Sequence, residues 1–332
     1  MRTAMSMLRL PTSLIPLIFA FSPPAFAEDF PLTIEHKFGT TVIEDQPERV
    51  ASIDYGGIGN LLAVGISPVT VRQWRAMDGF EYTAGPWAEH LLTTEPVVLD
   101  GDLDFEAIAA AKPDVIIALY SGIDSVEYEK LSLIAPVVAV PQSISDYGLP
   151  WDERALITAR AVGEEANAGR QIAAIEDRLT EIAAAHPEWH GKTAVIGGFR
   201  QEQGQPYAYT THDVRAQFLY EMGFTETPAM NALTGETDFV INLSTEQLDV
   251  INADVMVYYV TDAGMQDALA EPNRRFLSAY GSGGEVFLGD LPVAALARVS
   301  LLSIPVALEA LVPMLEGAAD GDPSTPVPDA RQ

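Results

Sequence analysis

Short apolar runs alternate with amphipathic stretches of helical period along most of the chain, which predicts an α/β fold with mainly parallel sheets. "RVASID" (49–54) reads as a buried strand and "IGNLLAVGI" (58–66) as the helix after it, ending near Gly65. "PVTVR" (68–72) and "PVVLD" (96–100) are further strands. "DFEAIAAAK" (104–112) is a helix that Pro113 ends, and "DVIIALY" (114–120) is the next buried strand. "YEKLSLIA" and "PVVAVP" add another helix and strand. From Trp151 to about Trp189 the composition is helical throughout, with one predicted break at Gly163. Strands resume with "KTAVIGGF" (192–199), "AYTT" (208–211), "DVMVYYV" (254–260) and "GEVFLGD" (284–290), before a final helix over roughly 294–315. The expected organisation is a lobe over 28–150, a helical connector over 151–190, a second lobe over 191–317, and a Pro- and Gly-rich disordered tail over 318–332.

Two stretches match across the connector. "DFEAIAAAKPDVIIALY" (104–120) and "STEQLDVINADVMVYYV" (244–260) each carry a glutamate at the third position, Glu106 and Glu246. Each has Asp-Val eight residues later, followed by an apolar run. They are predicted to be equivalent helix-to-strand units in two lobes, with the glutamate in the helix's first turn. Ser244 and Gln247 have the spacing of a capping box. On position alone, the glutamates either complement helix dipoles or serve a purpose repeated in both lobes.

Charge and the first residues narrow the setting. Arg2 and Arg9 make a basic start, residues 10–21 are largely apolar, and Ala25-Phe26-Ala27 fits a signal-peptidase site. Residues 1–27 are therefore expected to be a signal peptide, with the mature chain starting at Glu28. The chain has no cysteine, so the site lacks the residue a lipid anchor requires, and a free periplasmic protein is expected. Loss of the two leader arginines leaves 17 basic against 47 acidic side chains. Such a surface repels nucleic acid and anionic membrane, and neither is an expected partner.

Motifs of catalysis do not assemble. Gly56-Gly57-Ile58-Gly59 follows a strand and opens a helix, but it lacks the third glycine of a dinucleotide loop. Phosphate-binding loops, nucleophile elbows and zinc-protease motifs are missing from the sequence. His186 and His190 lie four apart with Pro187 between them, while His90 and His212 fall in loops. Aromatic and guanidinium groups cluster instead just after the strands, where open α/β sheets bind ligands. The candidate ligand-binding residues are Tyr55, Arg72, Trp74 and Tyr120 in the first lobe, and Arg200, Tyr209, Arg215 and Arg298 in the second. Arg75, Tyr207 and Tyr259 occupy similar positions. Arginine supplies planar charged donors for oxygen-rich anions, and aromatics supply rigid apolar walls.

Several stretches resemble the periplasmic iron-siderophore-binding proteins of ABC importers. They are "QPERVASIDYGGIGNLLAVGISPVTV", "DFEAIAAAKPDVIIA", "LSLIAPVV", "AYTTHDVRAQFLYEMGF" and "TDFVINLSTEQLDVINADVMVYY", in that order. The resemblance runs from about Phe30 to Leu315 and is nearest to the ferric-hydroxamate branch. It implies two Rossmann-like lobes joined by a long connecting helix, with a shallow ligand cleft between them. It also implies a monomer that performs no chemistry and has no resident cofactor, iron being carried only as a siderophore complex. Delivery would be to an inner-membrane ABC permease, with Glu106 and Glu246 as the docking glutamates. The chain departs from the hydroxamate branch at Val240, where that branch can carry Trp, at Asp100, near where an Arg can occur, and in the non-aromatic "LPVAALARVS". Haem or a corrinoid is the alternative cargo, with Tyr55, Tyr120 or Tyr209 as a possible haem ligand.

Overall fold

The computed structural model describes residues 30–56, 58–73, 84–200, 204–235 and 237–328. The leader, Trp74 and Arg75 lie outside them. The chain opens with an antiparallel hairpin that the sequence reading did not include, β1 (Leu32–His36) and β2 (Gly39–Ile43). The first lobe continues with β3 (Val50–Ser52), α1 (Gly59–Ala63), β4 (Thr70–Gln73), β5 (Val97–Asp100), α2 (Phe105–Ala110), β6 (Val115–Ala118), α3 (Ser125–Ser132) and β7 (Val137–Ala139). Its five strands are all parallel, in the order β5-β4-β3-β6-β7. The inner strands β3 and β6 are buried along their whole length, as expected for a sheet covered on both faces.

The connector consists of α4 (Trp151–Arg160) and α5 (Glu165–Ala185). They meet at Gly163, whose φ of +77° lies in the left-handed region that glycine reaches without strain. The break therefore falls where the sequence predicts it.

The second lobe comprises β8 (Ala194–Phe199), β9 (Pro206–Tyr209), α6 (Val214–Glu221), α7 (Pro228–Leu233), β10 (Val240–Asn242), β11 (Val255–Tyr258), α8 (Met265–Ala270), α9 (Ser278–Ser282), β12 (Glu285–Phe287), α10 (Asp290–Arg298) and α11 (Ser303–Ala318). Strands β8, β11 and β12 are parallel, but β9 is antiparallel to both β8 and β10, so this sheet is mixed. The reason is chain length. The link from Arg200 to Gln205 is too short for a crossover and permits only a direct return. The expected final helix is two helices, separated where Ser300 and Ser303 exchange side-chain to backbone hydrogen bonds (2.9 and 3.2 Å).

The repeated stretches do occupy equivalent places. Asp114 immediately precedes β6, and its carboxylate accepts from the backbone N–H groups of Glu48 and Arg49, each at 2.9 Å. Asp254 immediately precedes β11 and accepts from Thr193 N at 2.8 Å and Thr193 Oγ1 at 2.9 Å. In both lobes the aspartate thus ties the start of one central strand to the start of its neighbour, and the registers Val50–Val115 and Ala194–Val255 correspond. The Ser244–Gln247 capping box also forms, although it opens a 3-10 helix (Thr245–Ile251) where an α-helix was expected.

Gly56 and Gly59, which superficially suggest a nucleotide loop, have another use. A Cβ on Gly56 would lie 2.9 Å from Arg154 Nη1 and 3.5 Å from the Arg298 carbonyl, and one on Gly59 would collide with the Ser300 side chain. The glycines let the segment after α10 press against α1, where Leu301 N also donates to Asn60 Oδ1 at 3.0 Å. One apolar core runs from Val50 and Val115 through Trp151 and Ile175 to Val255 and Leu311, joining both lobes through the connector. Residues 319–328, expected to belong to a disordered tail, have no helix or strand but lie against the fold. Val327 packs on the core, and a Cβ on Gly317 would lie 3.2 Å from Val327 Cα.

Candidate binding groove

The second-lobe wall is built where β8 and β11 end and β9 returns. Tyr207 and Tyr209 share a face of β9, two residues apart, with ring centroids 5.8 Å apart. Tyr259, just after β11, meets Tyr209 edge-on at 5.5 Å. Arg200, just after β8, lies 4.1 Å over Tyr207, and its Nη2 donates to Asn242 Oδ1 at 3.0 Å. Arg215 lies 3.9 Å over Tyr209 and 5.5 Å over Tyr259. Asp213 is the N-cap of α6 and grips Arg215 at Nε (2.7 Å) and Nη2 (2.6 Å). Burial opposes the Arg215 charge, but the hydrogen-bonded Asp213 outweighs it and the guanidinium pKa is raised.

The first-lobe wall repeats the pairing. Arg72, at the end of β4, lies 4.1 Å over Tyr55, which follows β3. Arg72 is only 7% exposed, and its guanidinium donates to the Gly101 carbonyl (3.2 and 3.4 Å) and the Ser121 carbonyl (3.3 Å). Tyr120, after β6, stacks edge-on with Tyr147 at 5.1 Å. Burial raises the Tyr120 pKa, against the charges of Arg154 and Arg215. Arg215 belongs to the other lobe, so its charge reaches Tyr120 from across the space between the lobes.

The floor is Arg154, 6% exposed on α4, with its guanidinium 4.9 Å from the Tyr120 ring. Its Nη2 donates to the carbonyls of Val299 and Arg298, joining connector and second lobe. Burial lowers its pKa, opposed by Asp54. Asp54 accepts from Tyr120 N at 2.8 Å, and burial raises its pKa to about 6 despite that bond and the nearby Arg154 and Arg72. A small cavity lined by Ser52, Asp54, Asn60, Arg154 and Thr158 lies beside them.

Of the candidate residues, the structure brings Tyr55 to Arg72 and Tyr209 to Arg215, with Arg200 over the neighbouring Tyr207 and Tyr120 against Tyr147 and Arg154. Arg298 is 8% exposed, with Nη1 donating to Ala294 O at 3.3 Å in its own helix. Trp74 lies outside the described residues. Sequence reasoning missed Arg154, Tyr147, Asp54 and Asp213. Arg154 left a signal: it shares the buried stripe of α4 with Trp151, Ala155 and Thr158, a place where arginine is rare unless paired. Glu106 and Glu246 are exposed in the first turns of α2 and the 3-10 helix. His186 and His190 do not converge, since His186 stacks on Trp189 between Glu188 and Glu316 while His190 reaches the Ala183 carbonyl. Among the described residues no group of three or more His, Asp or Glu is placed to hold a metal, and no helix is long and apolar enough to cross a membrane.

Comparison with known proteins agrees with this architecture. The chain is 27% identical to the ferric enterobactin-binding periplasmic protein FepB of Escherichia coli O6:H1, over 80% of this chain and 87% of that protein. A periplasmic solute binding protein of Mycobacterium smegmatis superposes with a TM-score of 0.76 at 31% identity, over 86% of this chain and 98% of that one. PiaA of Streptococcus pneumoniae in complex with ferrichrome gives 0.73 at 29% identity, over 87% of this chain and 99% of that one. A model of the periplasmic binding protein family matches residues 50–273, and the chain belongs to that family.

Proposed function

We propose that this protein captures a ferric siderophore in the groove between its lobes and hands it to an inner-membrane ABC importer, without catalysing a reaction. The observation that carries the reading is the pair of facing walls. Arginines are stacked on tyrosines in both lobes, beyond the carboxyl ends of both sheets. Relatives named for ferric enterobactin and Fe(3+) dicitrate, and a structural neighbour holding ferrichrome, support an iron-complex cargo. The ligand residues are Tyr55, Arg72, Tyr120, Arg200, Tyr209 and Arg215, with Arg298 and Arg154 beneath them and Trp74 carried over from the sequence. Glu106 and Glu246 dock on the permease. Residues 1–27 direct export to the periplasm, where the mature chain acts as a monomer.

Haem is the less suitable cargo. The cargoes named among the chain's relatives and structural neighbours are ferric siderophores and ferric citrate. A thermal-shift screen against ferric hydroxamates, catecholates, ferric citrate, haem and cobalamin tests the reading. A true cargo at a thousand times its Kd adds about 4 kcal/mol of stability. A shift with haem or cobalamin alone would replace this reading.

A further inference from the structure

The charge of the groove is opposite to that of the chain. The sequence carries 47 acidic against 19 basic side chains, a net charge of −28. Yet Arg72, Arg154, Arg200, Arg215 and Arg298 gather about one groove. Asp54 acts on both Arg154 and Arg72, and Asp213 grips Arg215. Among the described residues, guanidinium therefore exceeds carboxylate at this site. Four of the five guanidiniums lie 3.9 to 4.9 Å over a tyrosine ring. Stacking fixes the plane of each cation and the direction of its in-plane hydrogen bonds. Arg72 and Arg154 direct those bonds to backbone carbonyls, which orient the groups without cancelling their charge.

Resting on the siderophore reading above, we propose that the groove selects an anionic ferric complex, with catecholate or carboxylate donors, over a neutral trihydroxamate. A neutral complex seated here would remove water from the excess cations and return no countercharge, which is unfavourable. An anionic complex supplies that charge through oxygens that guanidinium edges recognise. The relatives' names leave the choice open, since ferric enterobactin, Fe(3+) dicitrate and ferrichrome all occur among them. Among the described residues the charge balance favours the anionic complexes.

Equilibrium fluorescence titration with ferric enterobactin (trianionic), ferric dicitrate (anionic) and ferrichrome (neutral) tests the proposal. At least one anionic complex should bind about tenfold or more tighter than ferrichrome. Arg200→Gln, at an exposed position and checked for an unchanged melting temperature, should shrink that preference by about tenfold. Ferrichrome binding as tightly as both anions, or a preference that Arg200→Gln leaves unchanged, would overturn the proposal. If none of the three complexes binds, the siderophore reading itself fails and the charge selection falls with it.

Discussion

Asp213 holds Arg215 by three hydrogen bonds within one turn of chain: Oδ1 accepts from the Arg215 backbone N at 2.9 Å and from Nε at 2.7 Å, and Oδ2 accepts from Nη2 at 2.6 Å. The carboxylate that caps α6 therefore also aims the guanidinium over Tyr209. Removing the cation while keeping its anchor should do more harm than losing a surface arginine. Arg215→Ala leaves Asp213 buried without its countercharge. It is expected to weaken binding of the cognate ferric complex by about ten- to a hundredfold. Titration beside Arg215→Lys checks this. Lysine should restore little, because a point charge cannot reproduce the stacked fork.

Asp54 gives the fold a pH dependence of predictable sign. Its carboxyl is buried and its pKa raised to about 6, above the value of about 3.9 for an unfolded chain. The folded state thus favours the protonated form. The associated stability, of order 3 kcal/mol at most, is fully present below about pH 4 and is lost as pH rises through about 6. Asp54→Asn, whose amide oxygen can still accept from Tyr120 N, should flatten this component. Chemical denaturation of both proteins from pH 4 to 8 measures it, and parallel curves would show that Asp54 does not titrate in this window.

The approach of the post-α10 segment to α1 is testable at Gly59. A methyl there would strike Ser300, so Gly59→Ala is expected to destabilise by about 1 to 3 kcal/mol. Adding Ser300→Gly should recover most of the loss in the same unfolding measurement. A single substitution without effect would mean that the segment moves aside freely.

Glu106 and Glu246 are expected to act on the permease and not on the cargo. Reversing both to Arg should leave affinity within about threefold, because exposed charges are screened over roughly 10 Å at 0.1 M salt. Siderophore-dependent growth should fail. Normal transport by the double variant would reduce the pair to complements of helix dipoles.

Much of the fold was legible because buried parallel strands are continuous apolar runs, and the connector's break is written in Gly163. The antiparallel return at β9 was less visible. It follows from the length of the link from Arg200 to Gln205, which apolar periodicity does not register. Spacing alone set aside a nucleotide loop at residues 56–59, but local sequence cannot reveal that Gly56 abuts Arg154 and Gly59 abuts Ser300, far along the chain. Strand-end reasoning picked out residues that form arginine–tyrosine pairs in both lobes, Arg72 with Tyr55 and Arg215 with Tyr209. It overlooked Arg154, which approaches from a helix, and Tyr147, which comes from the loop before α4.

Native mass spectrometry of the mature protein, mixed with ferric enterobactin, ferric dicitrate and ferrichrome, bears most directly on the central claim. The expected result is one ferric complex per chain, lost when Tyr120→Ala and Arg215→Ala remove one group from each of the two walls. A protein that retains no ferric complex, or a double variant that holds it as well as the parent, would contradict capture in this groove.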